Sequence, residues 1–381
     1  MDMVTLGIDR IGDFGSLLKG KKIGLITNYS GVDSRLVDDM TAFTEAGYKV
    51  VKLYTPEHGL YGWMDGAKVE SSVHPVYGTP IISLYGERTK PTAEDLAGVD
   101  LLVYDIQDVG MRYYTYIYTL ANCLMAAAES KVPFLVLDRP NPLGDLVSGN
   151  RMDPKYDCFV GAHRLATRYG LTAAELGYYF VHFFHLDLEY MVLPMLKYRK
   201  DMKWPQTGLW WNVPSPSIHT FQSTLCYVGG CFFEATNISE GRGTAEPFQM
   251  YGAPFIDMDK LIRELRHRIS DPNLGMRSRA FVPFWSKHAG QTCFGVEFIP
   301  LNAELNFMEP ALITMKTMLE MYPDQFEFRS YADVSRLTSL SGDLNTDRYL
   351  KGELSLGELM DDWRGQSEEF EKETREFHIY G

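Results

Sequence analysis

An α/β fold built on a parallel sheet is predicted for the first half of the chain, followed by a second unit of mixed elements. Three observations predict it. Strand-like and helix-like segments alternate over residues 22–193. Each apolar strand-like run ends in a polar cluster. A Trp- and Pro-rich stretch at 204–216 then breaks the alternation. For a chain of 381 residues, at roughly 150 residues per domain, two domains are expected, 1–210 and 211–381.

The first strand spans 22–28, a buried run ending in polar residues. Asp33 or Ser34 can cap a helix running to Gly47, with Leu36, Val37, Met40 and Phe43 on its apolar face and Gly47 as its stop. Further strands are read at 50–54, 81–84, 100–104, 133–137 and 188–193, with helices at 116–130 and 172–185. Beyond the boundary, 225–234 reads as a strand, 237–244 as a polar loop and 258–269 as a helix. The charged, amphipathic tail at 354–377 reads as one or two helices packed by Leu356, Leu359, Trp363, Phe370 and Phe377.

Composition narrows the function classes. Lys and Arg number 37 against 50 Asp and Glu, a net charge of −13, which argues against nucleic acid or an anionic membrane as the main partner. The five cysteines are an odd number without a C-x-x-C pair, so neither a disulfide framework nor a structural zinc site is expected. Reduced thiols and the lack of a basic segment followed by an apolar one at the N-terminus point to a cytoplasmic protein, or to a periplasmic or secreted one if the N-terminus is trimmed. No apolar run reaches the roughly 20 residues that span a bilayer.

The polar clusters fall at strand carboxyl ends, the edge at which open α/β sheets form their ligand crevice. Glu57 stands in T-P-E-H-G-L-Y-G, where Pro56 and Gly59 fix a tight loop and Gly62 permits close approach. Beside Leu60, Tyr61 and Trp63, its carboxyl is a candidate general acid; the alternative is a surface-loop glutamate, with His58 as an orienting group. Asp105, Gln107, Asp108 and Arg112 crowd the next strand end, and either carboxylate could instead pair with Arg112. Tyr114 and Tyr116 offer hydroxyls and aromatic faces to a sugar, or fill a core. Asp138, Arg139 and Asn141 follow another strand in a loop stiffened by two prolines; Arg139 could grip a carboxylate or pair with Asp138. In 237–244, two glycines bracket Arg242, beside Ser239 and Glu240. No P-loop spacing, G-x-G-x-x-G, H-E-x-x-H or G-x-S-x-G occurs, so no nucleotide or other cofactor, metal or serine elbow is expected.

Taken together and in order, these motifs resemble the bacterial exo-β-N-acetylmuramidases, a glycoside hydrolase family formerly known as a domain of unknown function. The resemblance is carried by PEHG at 56–59, SLYG at 83–86, DIQDVGMRYYTY at 105–116, LDRPNP at 137–142, PSP at 214–216 and SEGRGT at 239–244, and spans nearly the whole chain. It implies a Rossmann-like parallel sheet domain joined to a smaller α/β domain, with a cleft between them. It also implies release of terminal, non-reducing N-acetylmuramic acid from peptidoglycan fragments, a small carbohydrate being the partner. Glu57 is the implied catalytic residue. In a two-carboxylate mechanism it would protonate the leaving oxygen, with Asp108 or Glu240 as base or electrostatic stabiliser. Arg139, Asn141 and Arg242 would bind the lactyl and acetamido groups; His58, Asp105, Gln107, Arg112, Tyr114, Tyr116, Asp138 and Ser239 complete the candidate contacts. The family pattern departs at Ser217, where it carries Asn, and over 163–169. Two rivals remain: a two-lobed sugar-binding protein without chemistry, and a nucleotide-dependent sugar transferase.

Overall fold

A computed structural model describes residues 3–63, 69–331 and 334–381, which include every candidate site residue. Six strands run parallel: Lys22–Thr27, Lys49–Thr55, Pro80–Ser83, Leu101–Asp105, Phe134–Leu137 and Tyr190–Leu193. Ser72–Val73 adds an antiparallel edge beside Pro80–Ser83. Numbered in chain order, the parallel strands lie as 3-2-1-4-5-6, the doubly wound order of Rossmann-like sheets.

Successive side chains of a strand face opposite ways, and a parallel sheet is covered on both faces. Ile23, Leu25, Leu101, Val103, Leu135 and Leu137 enter the core on one face. Ile26, Leu102, Tyr104, Phe134 and Val136 enter the other, which continues through the helix Phe221–Gly230 into the second domain at Tyr251, Val296, Phe298 and Met315. There, Cys293–Pro300 is the middle strand of an antiparallel sheet, between Met250–Ala253 and Leu274–Phe281. The helices Met258–Arg268 and Met308–Met321 belong to the same domain.

The tail forms one helix, Leu356–Thr374, started by a Ser355/Glu358 capping box and burying Leu359, Trp363 and Phe370. It returns to the first domain. Ser367 donates to the Gly149 carbonyl at 2.7 Å, and Arg151 pairs with Glu373 at 2.7 Å.

Two readings need correction. The helix expected from Asp33 or Ser34 begins only at Asp39, capped by Asp38, whose carboxylate accepts from the Thr41 amide. Asp33 instead accepts from the Arg35 and Val37 amides, a local turn that competes with helix and leaves Leu36 exposed. The segment 225–234 is no strand. It is the end of the helix Phe221–Gly230 and a 3-10 turn, Cys231–Ala235. Both are buried on most sides, so the apolar run carries no period to tell helix from strand.

Several candidate ligand contacts are committed to the fold, because a polar group buried behind a strand end needs a protein partner. Arg139 pairs in bidentate fashion with Asp105, donates to the Val32 carbonyl at 2.8 Å, and lies 3.8 Å from Asp39. Burial and the neighbouring Asp105 push Asp39 well above the usual carboxylate range. Asp138 is not Arg139's partner; it accepts from the Thr172 and Tyr380 hydroxyls and the Ala174 amide, at the start of the helix Ala173–Phe183. Gln107 bridges the Asp108 and Pro140 carbonyls, and Asn141 donates to the Leu171 carbonyl. Asp108 accepts from the Gly110 amide and the Tyr169 hydroxyl.

Arg112 pairs with neither neighbouring aspartate. Its guanidinium, 0% exposed, donates to the carbonyls of Asn150, Leu165, Leu340 and Ser341. The last two end the helix Arg336–Ser341, whose C-terminal carbonyls attract a cation.

Replacing Arg112 by Met leaves four buried carbonyls short of a donor. It should lower stability by at least about 3 kcal/mol, read as a shift of the urea midpoint. Asp108 offers a pH test. Burial raises its carboxyl to about 7, against about 3.9 in an unfolded chain. The associated stability is full below about pH 4 and is lost as pH rises through about 7. The Tm of the wild type relative to Asp108→Asn should therefore fall between those pH values.

Candidate active site

A cavity of about 600 Å³ opens between the domains, and residues from both line it. From the first domain, Glu57 reaches it on the loop after the strand Lys49–Thr55. The Gly59 amide closes the turn on the Pro56 carbonyl at 3.0 Å, with His58 in the left-handed region at φ 71°. Gly62 does permit a close approach, but by the Tyr29 ring: a Cβ there would lie 1.8 Å from it. Glu57 accepts from the Thr115 hydroxyl at 2.7 Å. Thr115 sits at the N-cap of the helix Tyr116–Ser130 yet makes no side-chain cap bond. Its hydroxyl serves the carboxylate instead.

The tyrosines that follow the strand Leu101–Asp105 form the shared wall. Tyr113 donates to the Val228 carbonyl and Tyr116 to the Pro214 carbonyl at 2.7 Å, which ties the first domain to the second. Tyr114 meets Tyr116 edge-on at 4.7 Å. Burial raises all three hydroxyls above the usual phenol range, so they line the cavity as neutral O–H groups.

The second domain contributes charge. Glu234, in the turn Cys231–Ala235, pairs with Arg242 at 2.5 Å and with Arg336 at 3.5 Å, and all three line the cavity. The Arg242 guanidinium also lies 5.3 Å from the Phe248 ring centroid. Glu240 is turned away, 2% exposed, in a 2.7 Å pair with Lys287. Burial opposes its charge, but Lys287 and Arg242 outweigh burial and hold its carboxyl below the usual range. Lys287 also donates to the Phe233 and Ile238 carbonyls, so the Glu240–Lys287 pair anchors the segments that carry Glu234 and Arg242. The Ser239 hydroxyl accepts from the Gly241 amide within the same loop.

Of the candidates, Glu57, His58, Tyr114, Tyr116 and Arg242 line the cavity. Asp105, Gln107, Asp108, Arg112, Asp138, Arg139, Asn141, Ser239 and Glu240 do not, because each is buried in the bonds described. Thr115, Glu234 and Arg336 were not singled out from sequence. One signal could have found Glu234: like Glu57, it closes an apolar run just before a polar loop. Ser217 lines the cavity, whereas the divergent 163–169 segment does not. His163 packs against Tyr118, Phe180, Phe183 and Phe184, and burial lowers its pKa to about 4. Among the described residues, no group of three His, Cys, Asp or Glu side chains is placed to hold a metal ion, and no helix is long and apolar enough to cross a membrane.

Comparison with known proteins shows the family. Residues 23–222 match the N-terminal domain of exo-beta-N-acetylmuramidase NamZ, and residues 225–380 match its C-terminal domain. The chain is 37% identical over 382 aligned positions to the peptidoglycan beta-N-acetylmuramidase NamZ of Bacillus subtilis (strain 168), covering 99% of this chain and 91% of that protein. Two crystal structures of DUF1343 family proteins from Bacteroides fragilis NCTC 9343 superpose over 100% of this chain and 99% of theirs. Their TM-scores are 0.87 and 0.80, at 30% and 26% identity. With both domains matched along nearly its whole length, the chain belongs to the exo-β-N-acetylmuramidase family of glycoside hydrolases.

Proposed function

We propose that this glycosidase releases terminal, non-reducing N-acetylmuramic acid from peptidoglycan fragments with Glu57 as the general acid. One observation carries the assignment. Glu57 enters the cavity beside a hydroxyl, whereas Glu234, the other carboxylate among the described lining residues, is paired with two guanidinium groups. Thr115 orients Glu57 at the cavity wall, and such positioning within reach of the leaving oxygen is what a general acid needs. Neither Asp108 nor Glu240 is supported as its partner, since both are buried outside the cavity lining.

The second domain supplies recognition. N-acetylmuramic acid differs from N-acetylglucosamine by an ether-linked lactyl group, which carries a carboxylate. Arg242 and Arg336 both line the cavity at the Glu234 corner, and their guanidinium groups suit that carboxylate through charge-assisted hydrogen bonds. Tyr85 and Phe159, rings 5.7 Å apart on the cavity wall, offer apolar faces to the sugar. Of the three residues that the sequence reading gave this binding role, Arg242 keeps it and Arg336 joins it, while Arg139 and Asn141 are engaged in the fold.

Incubation with the N-acetylmuramic acid–N-acetylglucosamine disaccharide should yield both monosaccharides; tight binding without product would fit a sugar receptor instead. Glu57→Gln should reduce kcat by about 10²–10⁴ with the Tm unchanged, and near-normal turnover would remove Glu57 from the acid role. Arg336→Gln should raise KM for a muramic acid glycoside by about tenfold and leave KM for the matching N-acetylglucosaminide nearly unchanged. Equal effects on the two would place the lactyl group elsewhere.

A further inference from the structure

Beside the catalytic cavity runs a groove of about 360 Å³, lined among others by Trp63, Ser217, His219, Pro247, Phe284 and Trp285. Ser217 also lines the catalytic cavity, so the two spaces adjoin there. Trp63 is 68% exposed and Phe284 78% exposed. Two large apolar rings left in water on one concave surface mark a place where something binds.

Both rings are tied to the machinery already described. Trp63 follows Glu57 on the same loop, whose Gly62 is packed under Tyr29. The Phe284 amide donates to the Gly243 carbonyl at 2.9 Å, next to Arg242. Gly243, at φ 80°, lies so close to the Trp285 backbone that a Cβ would be 2.4 Å from its carbonyl oxygen. The groove is therefore walled by the Glu57 loop of the first domain and by segments of the second, among them the one that carries Arg242.

We infer that this groove is an aglycone subsite, in which Trp63 and Phe284 stack on the sugar that follows the scissile bond toward the reducing end. The inference rests on the hydrolase reading. An enzyme acting on a terminal residue encloses that residue and lets the rest of the glycan leave through an opening. The groove adjoins the cavity at Ser217 and has the surface such an occupant needs. A pyranose presents a flat patch of C–H groups with slightly positive hydrogens, which complement the negative face of an aromatic ring. Its hydroxyls stay in water at the open rim.

The test compares wild type, Trp63→Ala and Phe284→Ala on two substrates: the N-acetylmuramic acid–N-acetylglucosamine disaccharide and N-acetylmuramic acid β-fluoride. The fluoride leaves as a single ion and puts no sugar in the groove. Each variant should lose about tenfold in kcat/KM on the disaccharide, mostly through KM, and stay within about twofold of wild type on the fluoride. Equal losses on both substrates, or no loss on the disaccharide, would overturn the subsite. A wild type inactive on both would overturn the hydrolase reading itself, so the two failures are distinguishable.

Discussion

The buried guanidinium of Arg112 is the contact on which the arrangement of this molecule depends. Stripping a cation of water is costly unless its hydrogen bonds are replaced. Here the replacement comes from carbonyls far apart in the chain, at Asn150, Leu165, Leu340 and Ser341. Arg112 belongs to the segment that follows the strand Leu101–Asp105, which also carries Thr115 and the cavity tyrosines. Leu340 and Ser341 end the short helix that begins with Arg336. One side chain thus holds the Glu57 side of the cavity in register with the guanidinium on the opposite domain. Gly342, at φ 86°, is part of the same fit: a Cβ there would lie 2.7 Å from the Arg112 terminal nitrogen.

The doubly wound order locates a crevice between the first and fourth parallel strands. In this chain a salt cluster occupies the ends of those strands. Thr27 donates to Asp39, Arg139 pairs with Asp105, and the space left beside Gln107 and Arg139 is only about 20 Å³. Gly31 makes the close packing feasible, since a Cβ there would lie 2.1 Å from the Asp39 carboxylate. The substrate cavity is built to one side, where the loop after Lys49–Thr55 meets the second domain. A shared sheet topology therefore does not place the chemistry; the filling of the crevice does.

The six parallel strands were legible because buried parallel strands are short, apolar and punctuated by polar ends. Glu57 was legible because Pro56 and Gly59 mark a tight turn at such an end. The same signal misled at Asp105, Asp138 and Arg139. A polar residue behind a strand is equally explained by a ligand and by a buried network, and only coordinates show that Arg139 faces Asp105 and that Asp138 faces Thr172. Glu234 and Arg336 were passed over for another reason. Their pairing joins residues 102 apart in sequence, and the apolar run before Glu234 gives no period to place it.

Residues 379 and 380 tie the tail to the first domain beside two strand ends of its sheet. Tyr380 donates to the Asp138 carboxylate at 2.7 Å, and its oxygen accepts from the Met195 amide; the Ile379 amide donates to Glu175. Asp138 and Glu175 are fully enclosed. During synthesis the strand Phe134–Leu137 leaves the ribosome long before residues 379 and 380 exist. The nascent sheet must therefore wait with these acids short of donors, and the first domain reaches its finished form only after the second has been translated.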